Sequence, residues 1–203
     1  MGTVGFDLDM TLIDSRPQTL AAFAALAGET GAAIDLAAVD RRLGIKLEDE
    51  VAYWFPELER AAAVATYRRH YLASAEQTVA LPGAAEALAV VRAAGARAVV
   101  ITAKHPMSAE PSLRAAGLTA DELFAHVHGD EKAAVLRTLA ATAYVGDSPA
   151  DMTAAVSAGT LAVGVATGSF DAGALHDAGA DVVLESLTGF ADWYRASRPG
   201  RSR

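Results

Sequence analysis

Short runs that are almost wholly apolar recur along the chain, and most are followed by a segment of helical pattern that ends in glycine. Val4 to Leu8, Arg97 to Thr102, His126 to His128, Ala143 to Val145, Leu161 to Val165 and Asp181 to Leu184 read as strands, the third being the weakest. Ala84 to Ala94, Ser108 to Ala116, Glu131 to Leu139, Pro149 to Ala158 and Asp171 to Ala178 read as helices, with Gly95, Gly117, Gly159 and Gly179 as stops. A strand without a polar face has to be covered on both sides, and strands separated by helices can return in parallel. The pattern therefore predicts an α/β fold, a doubly wound parallel sheet with helices on both faces.

One stretch interrupts the alternation. From Ser15 to Ala80 only helical pattern is visible: Pro17 to Gly28 behind a candidate Ser15 cap, then Leu36 to Leu43, Leu47 to Phe55 and Glu57 to Ala75. At 203 residues the chain has room for one core domain with one modest insertion. The expected division is a core of residues 1–14 and 81–198, re-entered at Leu81-Pro82-Gly83, and an inserted all-helical cap domain of residues 15–80. Ligands of open α/β sheets bind beyond the carboxyl ends of the strands, where this insertion emerges, so a lid is one reading of it and padding of the core is the other.

Composition narrows the function classes. A formal charge of −8 and a pI near 5.0 argue against a nucleic-acid surface, because the body of the chain has no basic stripe. The one basic cluster is terminal, Arg195, Arg198, Arg201 and Arg203 around Pro199-Gly200, and residues 199–203 read as a disordered tail. Mean hydropathy of +0.23 comes largely from alanine, and apolar runs such as Ala98 to Ile101 fall far short of the roughly 20 residues a bilayer span needs, so no membrane partner is expected. The absence of cysteine excludes disulfides and thiolate chemistry and, with no leader-like N-terminus, suggests a cytoplasmic protein.

Two acidic groups stand at predicted strand ends. Asp7-Leu8-Asp9-Met10-Thr11-Leu12 closes the first strand, and Ala143 to Val145 runs into Gly146-Asp147-Ser148-Pro149-Ala150-Asp151. An aspartate after a strand is often only a turn residue or a helix cap, and Asp147 before Ser148-Pro149 would serve as one. If the two strands are neighbours, however, four carboxylates converge. Two like charges about 4 Å apart repel by about 4 kcal/mol at an effective dielectric near 20, so such a cluster calls for a cation. Oxygen donors alone favour a hard ion, and Mg²⁺ is the usual one beside a phosphate.

These residues resemble the haloacid dehalogenase-like hydrolases, in particular their phosphoglycolate-phosphatase-like branch with a helical cap. Asp7-Leu8-Asp9-Met10-Thr11-Leu12 is similar to the DxDxT motif of that family, with Met10 where glycine is most frequent. Val100-Ile101-Thr102 resembles its second motif, and Gly146-Asp147 to Asp151 its fourth, GDxxxD. The resemblance implies a phosphatase acting on a small phosphorylated metabolite. Asp7 would be the nucleophile and Asp9 the general acid and base, while Thr102 would donate to a phosphoryl oxygen. Mg²⁺ would be held by Asp7, the Asp9 carbonyl and Asp147, with Asp151 direct or through water.

The family also uses a lysine. Lys132, before the strand that leads to Asp147, matches the usual place, and Lys104, two residues beyond Thr102, is its rival. A cation that must hold both Asp7 and the phosphate favours Lys132. His105, in the loop after Thr102, stands near enough in sequence to approach substrate, whereas the other four histidines read as surface or core residues. Tyr53, Trp54 and Phe55 read as cap packing, and Arg16, Arg41 and Lys46 as cap-side cations able to meet a second anionic group. A phosphomutase would share every core residue. A 2-haloacid dehalogenase is disfavoured by Asp9, and a non-enzymatic phospho-accepting receiver by Asp9, the insertion and the excess length.

Overall fold

The run Thr3–Phe6 (β1) is buried from end to end, because it lies at the centre of a sheet covered on both sides. The computed structural model describes residues 2–43 and 45–197. Around β1 lie Arg97–Thr102 (β4), Glu122–Ala125 (β5), Ala141–Gly146 (β6), Leu161–Val165 (β7) and Val182–Leu184 (β8), in the order β5-β4-β1-β6-β7-β8 with every pairing parallel. The chain builds to one side of β1 through β4 and β5, then crosses back to build the other side from β6. The strand order thus reverses between β1 and β6, and this is where an open α/β sheet leaves a crevice at its carboxyl end.

The period of two along each strand assigns the two faces. Val4, Phe6, Ala98, Val100, Val145 and Val163 pack on one side against Ala84–Ala93 (α5), Pro106–Ala115 (α6) and Phe190–Ser197 (α10). Val99, Ile101, Tyr144 and Ala162 pack on the other against Asp130–Thr138 (α7), Pro149–Ala158 (α8) and Ala172–Asp177 (α9). At Gly5 the second face lacks a side chain, and a Cβ there would come within 2.9 Å of the Tyr144 ring on the neighbouring strand. Tyr144 occupies that space, fully buried.

Between β1 and α5 the described residues form four further α-helices, Arg16–Thr30 (α1), Leu36–Arg41 (α2), Leu47–Trp54 (α3) and Arg60–Ala73 (α4), and one 3-10 turn at Ala75–Gln77. They bury an apolar cluster of their own, which includes Phe23, Leu26, Val51, Phe55 and Tyr67. Phe23 stacks on Phe55 at 6.3 Å and tilts against Tyr67 at 4.8 Å, so ring packing holds the helices together. Phe55 is buried as expected, but Tyr53 is largely exposed and Trp54 donates its indole N–H to the buried Glu50 at 3.0 Å.

Several expectations need correction. The segment from Ser15 to Ala80 is not wholly helical. Val79–Ala80 (β3) pairs antiparallel with Ile13–Asp14 (β2), and these two short strands carry the chain out of the sheet and back. Pairing across 65 residues of sequence leaves no local periodicity to read. Ser15 occupies the N-cap position of α1 without a side-chain cap bond. The edge strand β5 precedes His126 to His128 rather than containing it, because His126 takes a left-handed φ of 61° and ends the extended run. The helix α10 was not anticipated; it packs Phe190 against Phe6 at 5.4 Å. Arg195 bonds Asp192 at 3.1 Å, whereas Arg198, Arg201 and Arg203 lie outside the described residues. Among the described residues no helix is long and apolar enough to cross a membrane.

Candidate active site

The chain leaves β1 in a tight loop. Asp7 N–H donates to the Val145 carbonyl at 2.8 Å, which keeps Asp7 in register with β6. Leu8 and Leu12 are buried beneath, Leu12 N–H returns to the Leu8 carbonyl at 2.9 Å, and Met10 turns the chain with a φ of 60°. A left-handed φ is strained for any residue with a Cβ, which is the physical reason glycine suits this position.

On the adjacent strand Asp147 follows β6, and Thr11 Oγ1 donates to its Oδ1 at 3.2 Å. Asp147 is not the cap of α8. Ser148 is, in a capping box with Asp151, whose Oδ2 accepts from the Ser148 hydroxyl at 2.6 Å and from its N–H at 3.3 Å. The same box fixes Asp151 in the first turn, with Oδ1 facing Lys132 Nζ at 2.7 Å and the Tyr144 hydroxyl at 3.2 Å. Lys132, in the first turn of α7, also donates to Asp7 Oδ1 at 2.7 Å.

Asp7, Asp147 and Asp151 are therefore gathered, with one carboxylate oxygen of each within 4.8 Å of the others, and all three are buried. Three acids converge, not the four expected. The carboxylate of Asp9 turns aside to Lys104, whose Nζ donates to Oδ1 at 2.7 Å. Both lysines thus pair with an acid of the first loop, Lys132 with Asp7 and Lys104 with Asp9. Thr102 ends β4, and its Oγ1 accepts the Lys104 N–H at 3.1 Å, which leaves its own proton available to donate.

The electrostatics follow from burial. Burial pushes Asp7 up to about 7, Asp151 and Asp9 add to the rise, and Lys132 opposes it. Burial, then the charges of Asp151 and Asp7, raise Asp147 well above the usual carboxylate range. Burial works against the Lys132 ammonium, but Asp151 and Asp7 overcome it and keep the amine firmly protonated. With all three carboxylates ionised the pocket would carry about two negative charges beyond the one ammonium, which is why, without a cation, Asp7 and Asp147 hold their protons to higher pH. The donors are all oxygens, and a divalent hard cation would both balance the charge and match the donor set.

The profile of the haloacid dehalogenase-like hydrolases matches residues 1–159, a span that contains every one of these side chains. The chain belongs to that family. This hydrolase is 32% identical to a phosphoglycolate phosphatase from Rhodospirillum rubrum, with 98% of this chain and 92% of that protein aligned. Among solved structures it is similar to a haloacid dehalogenase-like family protein from Streptococcus pneumoniae, at a TM-score of 0.83 and 20% identity over 96% of this chain and 98% of that one. It is likewise similar to a hydrolase from Pseudomonas syringae, at 0.77 and 23% over 97% and 98%. At such identities the structures speak for the fold.

The structure also places residues at the site of this hydrolase that the sequence did not single out. Tyr144, read only as a strand residue, bonds Asp151 and the Ile101 carbonyl through its hydroxyl. Gly168, beyond β7, brings its backbone against Asp147, and Thr167 donates to the Met10 carbonyl at 2.5 Å. A lone glycine after an apolar strand was the only available signal. His105 accepts from Met107 N–H at 3.2 Å and so caps α6. Of the cap-side cations, Arg16 is paired with Asp14 at 3.0 Å and Arg41 lies 3.8 Å from Asp35. A cleft of about 410 Å³ opens between Arg16, Arg41, Met10 and Ser169, and so adjoins the first loop.

Proposed function

We propose that this hydrolase is a Mg²⁺-dependent phosphatase that cleaves a small phosphate monoester through an aspartyl-phosphate on Asp7. The observation that carries the reading is the meeting of Asp7, Asp147, Asp151 and Lys132 at the point where the strand order reverses. Lys132 donates to Oδ1 of Asp7 and Thr11 to Oδ1 of Asp147, while Oδ2 of Asp147 lies beside the Gly168 backbone; these two carboxylates would hold the ion, together with the Asp9 carbonyl. Both oxygens of Asp151 already accept hydrogen bonds, which supports a contact through water. When bound, the ion supplies positive charge against the phosphoryl oxygens and keeps Asp7 ionised.

The chain's own groups do the rest. Asp7 attacks phosphorus, the ester P–O bond breaks, and Asp9 gives its proton to the departing oxygen. Asp9, now ionised, takes a proton from water as that water attacks the aspartyl-phosphate, which frees Asp7 and inorganic phosphate. Thr102 donates to one phosphoryl oxygen, and Lys132 neutralises Asp7 and the phosphate together. Lys132 is assigned that role over Lys104 on its contact with Asp7. The four helices between β2 and β3 act as a cap over the substrate. This reading sets the enzyme in the cytoplasm, acting on small metabolites and not on nucleic acid or membranes.

A panel of phosphorylated metabolites that includes 2-phosphoglycolate, assayed with Mg²⁺ and with chelator, tests the reading. Turnover is expected only with the ion and to vanish in Asp7→Asn, since an amide cannot replace the nucleophile. Full activity in chelator, or in Asp7→Asn, overturns it. Lys132→Ala is expected to abolish turnover; retention there with loss in Lys104→Ala reverses the lysine assignment.

A further inference from the structure

Asp9 is held by contacts that lead out of the sheet and into the helical segment. Lys104 Nζ donates to Asp9 Oδ1 at 2.7 Å and also to the Tyr71 hydroxyl, and it lies 4.5 Å from the centre of the Tyr71 ring. The Lys104 side chain is only 7% exposed, whereas that of Asp9 is 33% exposed. Tyr71, in the last turn of α4, is itself pinned. Gln18 Nε2 donates to its carbonyl at 2.5 Å, and Thr78 Oγ1 donates to Gln18 Oε1 at 2.5 Å. Burial keeps the phenol neutral, with Thr19, Ser112 and Ser15 around its hydroxyl. The end of α4, the start of α1 and the return towards β3 are thus locked together around the group that anchors Lys104.

A buried ion pair is weak evidence for a stabilising device, because taking an ammonium out of water costs free energy that its partner has to offset. Its geometric effect is specific. With Oδ1 committed to Lys104, the Asp9 carboxylate cannot rotate freely about its Cβ–Cγ bond, and Oδ2 is the oxygen left for proton transfer. A general acid acts only when it lies within hydrogen-bond reach of the leaving atom, so fixing that one torsion matters to rate.

We propose that Lys104, anchored by Tyr71, is a positioning residue that holds Asp9 so that its second carboxylate oxygen faces the leaving group. The two lysines then divide the work: Lys132 serves the nucleophile and Lys104 the acid. The inference rests on the acid role of Asp9 given above and adds two residues to it, one of them from the helical segment.

The test uses leaving groups. Phenolate departs with help from a proton, since phenol has a pKa of about 10, whereas p-nitrophenolate is stable enough to depart without one. The ratio kcat/KM reports the steps up to that departure. Lys104→Met is expected to lower kcat/KM for phenyl phosphate by about tenfold or more and for p-nitrophenyl phosphate by less than about threefold. Tyr71→Phe, which keeps the ring and removes the hydroxyl, should show the same selectivity at smaller amplitude, and Lys104→Arg should recover part of the loss. Thermal melts of each variant establish that it is folded. Equal losses on both esters, or no loss on either, overturn the proposal, because a general structural defect has no means of sensing the leaving group. Asp9→Asn run alongside separates the two levels. Selectivity in Asp9→Asn without selectivity in Lys104→Met defeats this inference alone, while equal losses in Asp9→Asn remove the acid role beneath it.

Discussion

Gly168 follows β7, and a Cβ built on it would lie 1.9 Å from Asp147 Oδ2. No real contact is that short, so a side chain there must displace the Asp147 carboxylate from its present position. Gly168→Ala is expected to raise the Mg²⁺ concentration for half-maximal turnover by at least about tenfold, the size of effect seen when a ligand loses its support. Titration of activity with Mg²⁺ measures it, and the fold should survive because the clash is local. Asp7 adds a pH dependence. Its folded pKa, pushed up from 3.8 to about 7, lies above the unfolded value. In metal-free protein the favourable term from its retained proton is full below the unfolded pKa and is lost as pH rises through the folded one. An ion that binds the ionised carboxylates removes that penalty. The rise in Tm caused by Mg²⁺ should therefore be larger near pH 8 than near pH 6, and equal shifts would contradict the assignment.

Among the elements, the start of α5 is the most exacting. Gly83 holds a φ of 87°, and a Cβ there would lie 2.4 Å from the backbone carbon of Leu187. Gly83→Ala meets both a left-handed penalty of about 1–2 kcal/mol and a clash with backbone that cannot rotate away. A destabilisation above about 2 kcal/mol in urea titration is expected. The capping box of α8 is a milder test. Ser148→Ala should cost about 1 kcal/mol, and it also leaves Asp151 Oδ2 with only the longer bond from the backbone N–H, so activity is expected to fall further than stability alone explains.

At the scale of the whole molecule, the apolar cluster of α1 to α4 is separate from the two that cover the sheet. Asp14 and Val79 are partners in the β2–β3 pair, so the ends of the helical segment already lie side by side. Replacing residues 15–78 by a short Gly-Ser linker is expected to leave a folded sheet domain whose Tm still rises with Mg²⁺. Its kcat/KM for p-nitrophenyl phosphate should exceed that for phenyl phosphate by far more than in the intact chain, because Tyr71 has gone and Lys104 is released. Failure of the shortened chain to fold would show that the helices also support the core.

The alternation of apolar strands with glycine-stopped helices pointed, in the sequence, to the parallel two-faced sheet, since periodicity is a local property and strands separated by helices can be covered on both faces. Within it Arg97–Thr102, Leu161–Val165 and Pro149–Ala158 were legible to the residue. The acids were legible too, because strand ends concentrate chemistry. Tertiary structure alone decided that Asp9 leaves the cluster for Lys104, that Gly5 makes room for Tyr144, that Gly168 abuts Asp147, and that two-residue strands 65 positions apart join the segments. Each is a contact between distant parts of the chain, set by which side chain fills which space, and such contacts leave no period or spacing along the sequence.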